Sequence, residues 1–150
     1  MSEAADKSEA FIVVGVDGSE PSRDALRWAA RQARLTGATL KVLTSWEIPT
    51  SVGWAPVFPL DYDPETLAGR VLDEAILSVL GADPDIVVER VVEEGHPAPV
   101  LIAAASGADL LVVGSRGHGA FAGMLLGSVS EHLVSHAPCA VVVVRNEKPA

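Results

Sequence analysis

Apolar positions in this chain fall into short dense runs, and the stretches between them carry a helical period. Phe11–Val16, Thr39–Thr44, Leu110–Val113 and Ala140–Val144 are rich in valine, isoleucine and leucine. Three of these runs (FIVVGV, LLVV, AVVVV) show no alternation with polar residues. Continuous apolar runs of this length predict strands of a parallel sheet covered on both faces. A fifth run, Ile86–Val92, is broken by Glu89 and Arg90, which suits an edge position.

Between the strands, Ser19 to Arg34 places Ala25, Leu26, Ala29, Ala30 and Ala33 on one helical stripe, with Arg23, Arg27, Arg31 and Arg34 opposite as a solvated face. Ser19 suits the N-cap, Pro21 the first turn and Gly37 the stop. A second helix is expected over Pro64 to Leu80, capped by Asp63, ended by Gly81, and facing inward through Leu72, Ala75, Ile76, Val79 and Leu80. Ala98 to Ser106 is almost wholly apolar and reads as a buried helix. Ser128 to His136 opens with Ser128-Val-Ser-Glu131, the pattern of a capping box. The order β-α-β-loop-α-β-α-β-α-β predicts a single α/β domain, an open five-stranded parallel sheet with helices on both faces. Such sheets bind ligands at the carboxyl ends of their strands, where the winding reverses.

Residues 46–62 hold three prolines, two tryptophans, a phenylalanine and a tyrosine, and fit no regular element. A loop of this length is a hydrophobic cover, a lid over the crevice or a dimer contact.

Composition narrows the function. The chain has 150 residues, enough for one domain with a core, and a net charge of -9 without a basic stripe, so nucleic acid is not an expected partner. An anionic ligand must be drawn by a local field. No apolar run is long enough to span a membrane. The first ten residues carry acids and no apolar signal core, so a cytoplasmic protein is expected, with tails at 1–10 and 146–150 around a domain at 11–145. The lone cysteine, Cys139, lies in an apolar run and reads as a small core residue.

Leu110–Val113 leads directly into GSRGHGAFAGMLLGSVS, with glycines at 114, 117, 119, 123 and 127. Strand, glycine loop and helix start together suit a phosphate cradle, since glycines let backbone N–H groups converge and the helix adds free N–H groups and its positive dipole end; the glycines alone fit a tight, mobile loop equally well. Ser128 and Ser130 can donate hydroxyls, and Arg116 either adds a charge or points to solvent. The segment is not a Walker A loop, since no G-x-x-x-x-G-K-[ST] occurs. His96, His118, His132 and His136 give no convincing metal pattern, although His132 and His136 are four residues apart and His118 sits within the loop. No G-x-S-x-G elbow and no catalytic triad is legible.

Gly114-x-x-Gly117, nine residues, then Gly127-Ser128 resembles the G-2x-G-9x-G-[ST] motif of ATP-binding universal stress proteins, with no departure in spacing. Ile12-Val-Val-Gly-Val-Asp17-Gly-Ser19 resembles the family's opening strand and turn, and Ala137-Pro-Cys139 with Val141–Val144 its closing strand. The wording is similar to actinobacterial members. The resemblance implies a Rossmann-like, adenine nucleotide alpha hydrolase-like fold. It implies an ATP-binding regulatory protein of the stress response, acting as a homodimer joined through the Val141–Val144 edge. It implies that Asp17, with Gly18 and Ser19, contacts adenosine or helps hold a magnesium ion that arrives with ATP; the alternative for Asp17 is a cap on the Ser19 turn. The backbone near Ser45 would meet adenine. Gly114, Ser115, Arg116, Gly117, His118, Gly119, Gly127, Ser128, Val129 and Ser130 would hold ribose and phosphates. AMP, cyclic AMP or a dinucleotide could share the cradle. No residue stands out as a catalytic base, so slow ATP hydrolysis or group transfer is a secondary reading, a nucleotide-free dimer a third, and a protein partner is left open.

Overall fold

The computed structural model describes residues 10–48, 63–116 and 126–145. Five strands, β1 (Phe11–Gly15), β2 (Thr39–Trp46), β3 (Val88–Glu94), β4 (Leu110–Gly114) and β5 (Ala140–Val144), alternate with four helices, α1 (Glu20–Thr36), α2 (Pro64–Leu80), α3 (Pro97–Ala104) and α4 (Ser128–His136). All strand pairs are parallel, in the order β3-β2-β1-β4-β5. The charged run and the valine run are therefore the two edges. The chain winds outward from β1 to β3 and then returns to β4 on the other side, so the winding reverses between β1 and β4.

Strand alternation divides the core into two layers. Ile12, Val14, Leu40, Val42 and Val112 face α1 and α2, meeting Leu26, Ala29, Ala33, Leu72 and Ala75. Val13, Leu43, Leu111 and Val113 face α3 and α4, meeting Leu101, Ala105 and Leu133. Small residues on α1 let the helix lie close to the central strands, which is why its stripe is mostly alanine.

The helix ends follow their sequence signals. Ser19 caps α1 by accepting from the Ser22 N–H, and Gly37 closes it in the left-handed region at φ 77. Asp63 caps α2, and its hydrogen bonds from the Thr66 hydroxyl and backbone hold its carboxyl below the usual range. Two expectations are corrected. Helix α3 is apolar on every side, yet only Leu101 within it is buried, because a single face meets the sheet. The N-cap of α4 is Gly127 with no side-chain cap, so Ser128 is the first helical residue and the Ser128–Glu131 capping box does not form.

Leu111 is fully buried at the centre of the second layer. Leu111→Ala should lower stability by about 3 kcal/mol in urea unfolding, from lost transfer energy and a cavity. Because the folded Asp63 is the stronger acid, its contribution is complete above the ordinary aspartate pKa and is lost as pH falls through the lowered value. Asp63→Asn, which keeps a capping oxygen but cannot titrate, should therefore flatten part of the stability loss below about pH 4 in acid unfolding curves.

Candidate functional site

The carboxyl ends of β1 and β4 meet the first turns of α1 and α4, and Gly114 is where they join. A Cβ built on Gly114 would lie 2.7 Å from the Pro21 carbonyl oxygen and 2.8 Å from its carbon, inside contact distance. The first turn of α1 thus rests directly on the end of β4. This glycine is required by helix–strand packing rather than by loop freedom. Its own carbonyl accepts from the Ser130 hydroxyl at 2.6 Å, drawing in the first turn of α4. One residue on, Ser115 donates its N–H to Val144 at 2.9 Å and accepts from the Gly127 N–H at 2.6 Å. Two residues therefore tie α1, α4 and β5 together.

These bonds decide which donors are left. The Ser130 hydroxyl, expected on a phosphate, is buried and committed to Gly114. The Gly127 N–H is committed to Ser115. The first intrahelical bond of α4 runs from Glu131 N–H to Gly127, so the N–H groups of Ser128, Val129 and Ser130 have no partner among the described residues. Ser128 is exposed and its hydroxyl makes no hydrogen bond there either. Three backbone donors, one hydroxyl and the positive end of the helix dipole thus gather at the switch point, an arrangement whose chemistry suits an anion. Arg116 is half-buried just beyond Ser115.

The β1 end supplies an acceptor. Asp17 Oδ1 accepts from the Ser19 N–H at 2.9 Å and from the Ser19 hydroxyl. The Ser22 hydroxyl, buried, donates to the Ser19 carbonyl at 2.8 Å and accepts from the Asp17 N–H at 3.3 Å. The carboxylate thus holds the α1 turn, as its capping alternative required, while standing at the mouth of the crevice. Gly18 sits at φ 87, a left-handed position that favours glycine, and Val71 of α2 would meet a Cβ there at 3.3 Å. Ser45 is half-buried at the end of β2, opposite Glu93 in register.

Gly117, His118 and Gly119, and most of the 46–62 loop, lie outside the described residues. Sequence reasoning put Pro21 in the first turn of α1 but did not find its contact with Gly114, and it missed Ser22 and Thr44. Thr44 is buried and donates to the Val16 carbonyl at 3.1 Å, fixing the chain just before Asp17. Isolated hydroxyls in apolar surroundings, as in Lys-Val-Leu-Thr44, were the available signal. His132 and His136 stack with ring centres 4.3 Å apart on the exposed side of α4, remote from this cluster in role. Among the described residues no group of three or more His, Cys, Asp or Glu side chains is placed to hold a metal. Cys139 is only half-buried; burial first, then Asp109, pushes its thiol up.

A nucleotide fits this arrangement by the chemistry of its donors and acceptor. Phosphate oxygens suit the free N–H groups of α4, and a ribose hydroxyl or adenine amino group suits a carboxylate. A single carboxylate is enough for magnesium only when phosphates supply further ligands.

Residues 11–145 match the sequence profile of the universal stress protein family. A universal stress protein of Mycolicibacterium smegmatis is 38% identical over 144 residues, covering 95% of this chain and 48% of the relative. One from Mycobacterium tuberculosis is 36% identical over 140 residues, covering 89% of this chain and 43% of the relative. The chain spans about half the length of the curated relatives it matches. Among solved structures, a universal stress protein in complex with cAMP superposes with a TM-score of 0.70 at 28% identity, covering 93% of this chain and 99% of that one.

Gly114→Ala should destabilise the fold by about 1–3 kcal/mol, because the obstacle is backbone and cannot rotate away. Ser130→Ala should cost a similar amount by leaving a buried carbonyl unpaired. Both are read by chemical denaturation.

Proposed function

The chain belongs to the universal stress protein family, and from that premise we propose that it binds an adenine nucleotide, ATP with magnesium, at the β1–β4 switch point. The observation that carries this reading is the first turn of α4, whose three N–H groups have no partner among the described residues and which is fastened to the end of β4 through Ser130 and Gly127. In this reading Ser128, Val129 and Ser130 take the phosphates through backbone N–H and the Ser128 hydroxyl. Gly127, Gly114 and Ser115 hold that turn in place, and Arg116, Gly117, His118 and Gly119 are proposed as further phosphate-binding residues. Asp17, with Gly18 and Ser19 shaping its turn, takes the nucleoside, and the backbone at Ser45 lines the adenine. Magnesium arrives with the nucleotide and takes Asp17 as its protein ligand. The 28%-identical neighbour in complex with cAMP supports an adenine nucleotide of some kind; a triphosphate is favoured here by the number of donors gathered at one helix start.

The reading is of a binding and regulatory protein of the cytoplasm. Nucleotide would order residues around the crevice and so change the surface that a partner meets. The domain is taken to run from 11 to 145. Two copies would pair through β5, an edge strand of half-buried valines whose outward backbone groups a like strand can satisfy.

Ser128→Glu separates ligand binding from folding. A carboxylate at the first helical position favours the helix but repels phosphate. Thermal stability should hold or rise while ATP affinity falls about tenfold in calorimetry. Absence of ATP binding to the unaltered protein at millimolar concentration would refute the reading. For the dimer, Val143→Pro removes an N–H that faces away from β4 and keeps the β4 ladder. Sedimentation should show the unaltered protein as a dimer and the variant as a monomer.

A further inference from the structure

The two free edges of the sheet are chemically opposite. β5 reads AVVVV, whereas β3 reads VERVVEE. Hydrogen bonds at both ends of β3 fix which of its backbone groups are used. The Leu40 N–H donates to Val87 at 2.9 Å and the Gly95 N–H donates to Trp46 at 2.7 Å. Odd-numbered residues therefore face β2, and the N–H and C=O groups of Val88, Arg90, Val92 and Glu94 point away from the sheet. Among the described residues none of these outward groups is hydrogen-bonded.

Each face beside that edge has its own character. Toward α2, Val88 and Val92 join the core, and Arg90 bridges to Asp73 at 2.8 and 3.2 Å. Under that bridge runs a groove of ≈ 280 Å³ between α2 and β3, lined by Ile76, Leu77, Gly81, Ala82 and Val88. In its wall Leu77 is 60% exposed, so apolar surface is left uncovered beside an open strand edge. On the opposite face stand Glu89 and Glu93, both exposed; Lys41 reaches Glu89 only at 3.8 Å. Glu94, the last residue of β3, is exposed as well.

We propose that β3 is a strand-addition site for an extended basic segment of another protein, one that alternates Lys or Arg with apolar residues. Its backbone pairs with Val88, Arg90, Val92 and Glu94. Its apolar side chains enter the α2–β3 groove, and its basic side chains lie beside Glu89 and Glu93. A second copy of this chain is the poorer occupant, since two β3 strands side by side set glutamate against glutamate. Charge on an edge also blunts indiscriminate pairing. Here that same charge selects the sign of the partner, and the groove selects its pattern. The site lies on the edge opposite β5 and needs no nucleotide.

The test uses the full chain and a fluorescein-labelled ten-residue peptide alternating lysine and valine, followed by fluorescence anisotropy at physiological salt. Saturable binding is expected. A peptide of the same composition with its lysines and valines in separate blocks should bind at least about tenfold more weakly. So should one N-methylated on alternate residues, which removes its pairing N–H groups. Glu89→Lys with Glu93→Lys should weaken the alternating peptide about tenfold, by turning two cross-strand attractions into repulsions, and leave ATP binding unchanged. Equal affinity for alternating, blocked and N-methylated peptides would reduce the edge to a diffuse acidic surface and overturn the proposal. So would no binding at millimolar peptide, or a concentration-dependent self-association abolished by the same two substitutions.

Discussion

The contact between Gly114 and the Pro21 carbonyl sets the geometry of the whole carboxyl edge. With no Cβ at 114, the first turn of α1 seats on the end of β4, so a helix from one side of the winding meets a strand from the other. The Ser130 hydroxyl and the Ser115 backbone then fasten α4 and β5 to the same two residues. A side chain at 114 would push α1 outward, and the Asp17–Ser19–Ser22 turn would move with it. The α1 turn that carries Asp17 and the first turn of α4 are thus both seated on Gly114 and Ser115.

That arrangement divides the glycine segment by task. Gly114 and Gly127 are structural: one admits a backbone, and the other gives its N–H to Ser115. Ser130 spends its hydroxyl inside the fold. Among the described residues, what is left unpaired there is largely backbone, the N–H groups of residues 128 to 130, with the exposed hydroxyl of Ser128. A site built from backbone donors has little use for particular side chains, which accords with a segment rich in glycine, alanine and leucine. With a net charge of -9, any pull on an anion at this turn has to come from the local helix dipole rather than from the field of the whole molecule.

The sheet was legible because its interior strands have no polar face. FIVVG and LLVVG can sit only where both sides are covered, and the broken run at Glu89-Arg90 could sit only at an edge. Caps at Ser19, Gly37, Asp63 and Gly81 were legible because each solves a local backbone problem. Reading failed where the answer depended on a distant element. Ser128 looked like an N-cap from its neighbours, but Gly127 takes that place because Ser115, twelve residues earlier, holds its N–H. The α3 sequence looked buried, yet how much of it is covered depends on the single sheet face it meets. The Ser130 hydroxyl could be assigned only once the end of β4 was seen beneath it. The family motif named the segment, but only the hydrogen bonds show which of its donors are spent inside the fold.

The Gly114 contact also has an evolutionary side. The obstacle to a larger residue at 15 is the Leu101 side chain, at 3.1 Å, and a smaller residue at 101 could make room in a second step. The obstacle at 114 is a peptide carbonyl, which every residue at 21 would present. No substitution elsewhere in the chain can shorten it. Position 15 can therefore drift along with its neighbour, whereas position 114 has no compensating partner and must stay glycine for as long as α1 enters at this depth.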